Sequence, residues 1–309
     1  MQIIRGLSRA RPPGPGVAVT IGNFDGVHLG HRAILGRLQQ RADELALETA
    51  VLTFEPNPRE YLDPANAPAR LMRLRDKAAA LAALGIDQLV LLRFDERLRA
   101  LTAEEFIEQV LVEALAARHV VIGAGFRFGR GRTGTVELLA EHGRRAGFSV
   151  DAVAPVGQAG ERVSSTRVRA ALAAGDLVTV RRLLGRDFSM SGRVIGGRQL
   201  GRTLGYATAN MRLHRRVTPL SGVFAVRVRG LGGEPWPGVA SLGTRPTLGG
   251  GELLLETHLF DFSGDLYGRY LEVDFVAQLR EELKFPDLDT LLARMHEDAR
   301  EARRLLAAG

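Results

Sequence analysis

The hydrophobic periodicity of this chain changes once, near residue 187, and that change constrains its fold more than any other feature. From Gly16 to about Ala154, short β-prone runs alternate with longer helix-prone ones. The β-prone runs are VAVTIG from Val17, TAVLTF from Thr49, DQLVLLRF from Asp87, HVVIG from His119 and FSVDAV from Phe148. Between them, LGHRAILGRLQQRADELAL, RLRDKAAALAALG and TAEEFIEQVLVEALAA repeat apolar residues at helical spacing, the last opening with Thr102 and Glu105 as a capping box. Helices between near-continuous apolar strands predict an α/β domain, a parallel sheet covered on both faces. Two further helices are predicted in SSTRVRAALAAG and DLVTVRRLLG, before Gly185. Past Arg186 the runs GVFAVRVRG, GELLLETHLFDF and GRYLEVDFVAQLR are separated by Gly- and Pro-rich turns, and Leu271, Val273 and Phe275 alternate with Glu272 and Asp274. That period of two predicts antiparallel strands in a small barrel or sandwich. Helical spacing returns from Asp287 to Ala308. With 309 residues the chain exceeds the roughly 250–300 at which one core stops growing. Two domains are expected, at 1–186 and 187–309.

Several classes are excluded. No apolar stretch approaches the roughly 18 residues a membrane span needs, and the basic, Pro- and Gly-rich start has no apolar core ending in a cleavage site, so a cytoplasmic location is expected. The chain has no Cys, hence no disulfide framework, thiolate zinc site, iron–sulfur cluster or catalytic thiol. Forty of its 42 basic residues are Arg; Lys77 and Lys284 are the exceptions, and neither lies in a Walker motif. The net charge of +7 lies mostly before Asp187 and suits a polyanion such as a nucleotide triphosphate, or else reflects Arg usage on a solvated face.

In the first half, VAVTIG runs into GNFDGVHLGH, where Gly22, Asn23, Phe24, Asp25 and Gly26 form a turn that lets the backbone approach a ligand before a helix begins. His28 and His31, three apart at that start, share a face and can both donate hydrogen bonds to charge developing on one phosphate. At Val163 to Arg169, Ser164, Ser165 and Thr166 would start another helix, with Arg169 placed to neutralise a leaving pyrophosphate.

In the second half, the glycines from Gly192 to Gly205, with Gly197, Arg202 and Gly205 as nucleotide-binding candidates, suit a loop whose amides face phosphates. Thr208 and Asn210 are small oxygen donors that point the same way from an extended segment and could hold Mg²⁺ with ATP phosphates. Glu256 sits on an otherwise apolar strand, where a carboxylate costs desolvation energy unless paired or used. It is either a general base or an edge-strand acid facing water.

These residues carry a resemblance. The elements GNFDGVHLGH and VSSTRVR look like those of the H-x-G-H nucleotidyltransferase superfamily, which has a Rossmann-like fold. With TFEPNPREYL at Thr53 and GAGFRFGRGRTG at Gly123, the first half is similar to the FAD synthetase module of bacterial bifunctional riboflavin kinase/FAD synthetases. Two positions depart from that pattern: Asn57 stands where the family usually has His, and Gly125 where it usually has Asp or Asn. From Ser191 onward the chain resembles the riboflavin kinase module, a β-barrel with a C-terminal helix. The matching segments are G-x-x-x-G-R-x-x-G-x-x-T-A-N ending at Asn210, with Ala207 in place of Pro, then Gly222 to Phe224, Gly243 to Thr247, Glu256 to Phe262, Asp265 to Gly268 and Leu279 to Phe285.

The resemblance implies ATP-dependent phosphorylation of riboflavin to FMN, then adenylylation of FMN to FAD with release of pyrophosphate, both with Mg²⁺. It assigns catalysis to His28, His31 and Glu256, metal binding to Thr208 and Asn210, and positions near the flavin to Arg280 and Phe285, while Phe126 and Phe128 are either ordinary core or flavin contacts. Riboflavin, FMN and ATP are the expected partners; neither nucleic acid nor membrane is, and the sequence leaves oligomeric state open. Two alternatives stand beside this reading: a kinase whose first domain has lost adenylylation or moved to another acceptor, and a basic RNA-binding or regulatory protein on the same fold.

Overall fold

The computed structural model describes residues 1–7, 14–158, 160–196, 208–213, 217–245 and 252–307. By backbone contacts the chain divides into two compact units, one comprising Met1–Pro68 and Met72–Ser164, the other Ala69–Leu71 and the chain from Ser165 onward.

The first unit is built from β1 (Gln2–Arg5), β2 (Val17–Ile21), α1 (Leu29–Leu45), β3 (Glu48–Glu55), α2 (Pro58–Leu62), α3 (Leu74–Ala83), β4 (Gln88–Arg93), α4 (Glu96–Ala100), α5 (Ala103–Phe106), β5 (Ala117–Gly123), α6 (Val136–Ala146), β6 (Ser149–Val153) and the short strands β7 (Gly157–Gln158) and β8 (Glu161–Arg162). Its main sheet has the order β1-β4-β3-β2-β5-β6 and is parallel throughout. All five residues of β2 are buried, and they alternate between two cores: Val17, Val19 and Ile21 face one side, Ala18 the other. This is the expected sheet covered on both faces. The Thr102–Glu105 capping box forms as the sequence predicts, but after Phe106 the helix continues as a π-helical segment over Ile107–Ala114. The edge strand β1 and the β7–β8 pair were not expected.

The second unit opens with α7 (Ser165–Ala173) and α8 (Leu177–Leu184), followed by β9 (Phe188–Ile195), β10 (Thr208–Arg212), β11 (Gly222–Arg229), β12 (Trp236–Arg245), β13 (Glu252–Leu259), β14 (Tyr270–Arg280) and α9 (Leu288–Ala307). The strands close into an antiparallel barrel in the order β10-β13-β12-β11-β14-β9, which leaves no free sheet edge. Leu271, Val273 and Phe275 are buried as their alternation predicts, while Asp274 is held by a bidentate Arg229 at 2.6 and 2.7 Å. The contact division falls at Ser164, before α7 and α8, not at Arg186. The reason is packing: α8 lies against β9 and β14, and Arg181 Nε donates to Asp187 Oδ1 at 2.6 Å. Among the described residues, no helix is long and apolar enough to cross a membrane.

Candidate functional sites

The sheet order places β2 between β3 and β5, so the chain leaves β2 where successive connections part to either side. At such a switch point ligands gather beyond the carboxyl ends of the strands. The turn there is tightly folded. Phe24 (φ 45°), Gly26 (φ 89°) and Val27 (φ 42°) all adopt left-handed backbone, an outlier for a β-branched residue such as Val27. Asp25 is buried and accepts from the Met72 N–H at 2.9 Å.

His28 then caps α1. Its Nδ1 accepts from the His31 N–H at 3.2 Å, so the neutral ring carries its proton on Nε2. The rings of His28 and His31 stack at 3.6 Å, with Phe24 tilted against His31 at 5.0 Å. Gly30 makes this possible: a Cβ there would lie 3.2 Å from the His28 ring. His31 Nδ1 is buried without a hydrogen-bond partner, and burial, then the neighbouring His28 and Lys77, hold this imidazole's pKa well below its ordinary value. With its His31 ring favouring the neutral form, the pair is a preorganised set of donors at a helix N-terminus, an arrangement suited to phosphate.

Lys77 was absent from the candidates read in the sequence. It lies on the buried stripe of α3 with Ala78 and Leu81, only 6% exposed, and its Nζ donates to Thr53 Oγ1 at 3.5 Å. A signal was present: in a chain that uses Arg almost throughout, a Lys occupies a core position of an amphipathic helix.

The other candidates of the first unit separate. Phe128 is buried in the core, tilted against Phe106 at 5.5 Å; the partly exposed Phe126 stacks on it at 5.8 Å. Asn57 caps α2, accepting from the Arg59 N–H at 3.1 Å while Glu60 accepts from the Asn57 N–H, a task suited to Asn. A Cβ at Gly125 would meet open space. Ser164 ends the first unit. In the second, Ser165 and Thr166 start α7 as predicted, and Arg169 Nε donates to the Ala69 carbonyl at 2.6 Å.

On the barrel, Asn210 of β10 stands directly opposite Glu256 of β13, and Glu256 directly opposite Ser241 of β12. Residues paired in this way share a face. Thr208, paired with His258, joins that face because it is two residues from Asn210. The alternate residues Ala209, Met211, Leu255 and Thr257 are buried. Asn210 is 6% exposed and its Oδ1 is buried without a hydrogen-bond partner. A buried unsatisfied oxygen next to a hydroxyl and a carboxylate fits a hard cation such as Mg²⁺. Gly197, Arg202 and Gly205 lie outside the described residues. Arg280 is engaged by α9: its Nε donates to both oxygens of the buried Asp298 at 2.9 and 3.1 Å, and its guanidinium lies 5.5 Å from the centre of the Phe285 ring.

Comparison with known proteins covers both units. Residues 12–167 match the family model for FAD synthetase and residues 184–306 that for riboflavin kinase. The bifunctional riboflavin kinase/FMN adenylyltransferase of Pseudomonas fluorescens is 48% identical over 308 residues, 99% of this chain and 98% of that one. The protein of the same description from Haemophilus influenzae is 48% identical over 98% of each chain, and that of Escherichia coli K12 46% identical over 98% of this chain and 97% of its own. A crystal structure described as a macrolide-efflux protein from Streptococcus pneumoniae shares the fold with a TM-score of 0.84 and 29% identity, covering 97% of this chain and 98% of that one.

Proposed function

Because the chain belongs to the family of bifunctional riboflavin kinase/FMN adenylyltransferases, we infer that it converts riboflavin to FMN and FMN to FAD, using ATP in both steps. The observation that carries this reading is the full-length likeness, which takes in both halves at 46–48% identity.

For the kinase step, Glu256 is the base. It accepts the proton of the ribityl hydroxyl as that oxygen bonds to the terminal phosphorus of ATP and the bond to ADP breaks. Thr208 and Asn210 would hold Mg²⁺; when bound, the ion neutralises charge on the phosphates. The unpartnered Asn210 oxygen supports this assignment. Phe285 and Arg280 border the flavin, Arg280 acting from its anchorage on Asp298.

For the adenylyl step, a phosphate oxygen of FMN attacks the α-phosphorus of ATP and pyrophosphate leaves. His28 and His31 donate hydrogen bonds that strengthen as negative charge builds, and the backbone from Gly22 to Gly26 wraps the nucleotide. For Ser164, Ser165, Thr166 and Arg169 the family resemblance supports a role with nucleotide phosphates, as it does for Gly197, Arg202 and Gly205 with the kinase nucleotide. Phe126 offers its ring to the flavin with Phe128 supporting it from the core. Neither step needs a covalent enzyme intermediate; positioning and charge neutralisation suffice. The cytoplasm, where ATP and riboflavin are both met, is the proposed location.

Chromatography of products from purified protein with riboflavin, ATP and Mg²⁺ tests both halves. FMN and FAD are both expected; FMN alone would support the kinase-only alternative, and neither product would overturn the reading.

A further inference from the structure

We propose that Lys77 is a positioning residue of the adenylyl-transfer site, fixing the Gly22–Gly26 turn through Thr53 and bringing its ammonium near His31. This rests on the reading of His28 and His31 as that site. Four observations carry it.

First, α3 and the segment leading into it hold the turn at two points. The Met72 N–H is bound by Asp25 at 2.9 Å, while Lys77 Nζ donates to Thr53 Oγ1 and Thr53 Oγ1 donates to the Asn23 carbonyl, both at 3.5 Å. Second, the turn bears on the chemistry directly. Asn23 precedes Phe24, whose backbone is held at φ 45° and whose ring packs on His31 at 5.0 Å. A shift of the Asn23 carbonyl therefore passes through one residue to a reacting imidazole. Third, burying an ammonium is costly unless it is paired or used, and Lys77 and Thr53 are both buried, Thr53 completely. Fourth, Arg serves at 40 of 42 basic positions, yet this position keeps the compact ammonium on a narrow stem, which a planar guanidinium fork does not replace.

Lys77 also acts on His31 electrostatically. The titratable groups that act on that ring are His28 on the same helix turn and Lys77 on α3; both add to burial in disfavouring the charged imidazole. Burial is the larger cause, and the charge of Lys77 adds to it in favouring the neutral imidazole.

Lys77→Met, Lys77→Arg and Thr53→Val in the full chain test this, with FAD formation from FMN and ATP followed across pH. A thermal melt of each variant serves as the control for folding of the first unit, FMN formation from riboflavin as the control for the second unit, and His28→Ala as the control for the site. Lys77→Met should slow FAD formation by about tenfold to a hundredfold and move the acid limb of the pH profile upward, because His31 has lost a neighbouring cation. Lys77→Arg should return the limb without returning the full rate. Thr53→Val should slow the step and leave the limb in place. A parental rate and limb in Lys77→Met, with FAD formation lost in His28→Ala, would overturn the role of Lys77 alone. Parental FAD formation in His28→Ala would overturn the site reading itself. A slowed Lys77→Met whose limb does not move reduces Lys77 to a structural residue and overturns the proposal, and if that variant does not fold, an unaffected Thr53→Val does so.

Discussion

Asn210 and Glu256 are cross-strand partners on one face of the barrel, an amide oxygen left unbonded opposite a carboxylate. That pairing joins the two groups most directly responsible for phosphoryl transfer in the proposed mechanism. Glu256→Gln keeps the shape and removes the proton acceptor, so FMN formation should fall by about 10²- to 10⁴-fold while riboflavin binding and FMN-to-FAD conversion persist. Asn210→Ala should also damage the kinase alone, and raising Mg²⁺ should recover part of the loss. Product chromatography from riboflavin and from FMN separates the two activities; normal kinase turnover in Glu256→Gln would remove it as the base.

Gly125 and Asn57 depart from the pattern of the resembled family in different ways. The space around Gly125 accepts a side chain, so Gly125→Asn should fold normally and raise the FMN-to-FAD rate or lower the ATP concentration it needs. Asn57→Ala instead removes the α2 cap and should cost about 1 kcal/mol. Steady-state kinetics and thermal melts of the two variants read these outcomes; an unchanged rate in Gly125→Asn would mark that departure as neutral.

Acid should destabilise the first unit through two imidazoles. Burial, with His28 and Lys77, lowers the pKa of His31; burial lowers that of His119, where the nearby Asp151 opposes the shift. Both folded values lie below the ordinary 6.5, so their contribution to stability is complete above that pH. It is lost as pH falls from there through the folded values, because the unfolded chain takes up protons first. Melting temperature followed from pH 7.5 to 4.5 should therefore drop less steeply in His31→Gln and in His119→Gln than in the parent.

A fragment beginning at Ser165 should be more stable than one beginning at Asp187. The shorter fragment loses α8, whose Leu177, Val180, Leu183 and Leu184 are buried, and the Arg181–Asp187 ion pair. Both carry all the matched kinase residues. Denaturant midpoints of the two fragments, each assayed for FMN formation, measure the difference; equal midpoints would return the boundary to Arg186.

Replacing Arg280 should loosen α9. Asp298 is 4% exposed and Arg280 provides its bidentate partner. Among the described residues, Arg280→Leu leaves the buried Asp298 carboxylate with Arg294 Nε, at 3.4 Å, as its ion-pair partner and should cost the second unit about 3 kcal/mol. Arg280→Leu with Asp298→Leu should recover part of that in a chemical melt.

The architecture was legible in the sequence wherever local pattern and tertiary environment agree. The apolar runs from Val17 to Val153 became β2 to β6 of the parallel sheet, four inner strands and the edge strand β6, and the alternation at Leu271–Phe275 became a barrel strand. Non-local features were not legible. The four residues of β1 form a strand because β4 offers an edge. That Asn210 meets Glu256 is a matter of register, which the intervening chain does not encode as a local pattern. The anchorage of Arg280 on Asp298 was not legible because the two lie on different elements. Lys77 was passed over because a charge inside a helical stripe reads as noise until the packing around it is known.

The bond from the His31 amide to His28 Nδ1 does more than cap a helix. With that nitrogen occupied as an acceptor, the ring can present only an N–H to a ligand and cannot swap tautomers between turnovers without uncapping α1. A donor locked in this way serves a reaction and its reverse alike, since both cross one transition state. In the proposed adenylyl step, the His28 tautomer that assists the formation of FAD must assist its cleavage by pyrophosphate, and the direction of flux then rests with the removal of pyrophosphate and not with this imidazole.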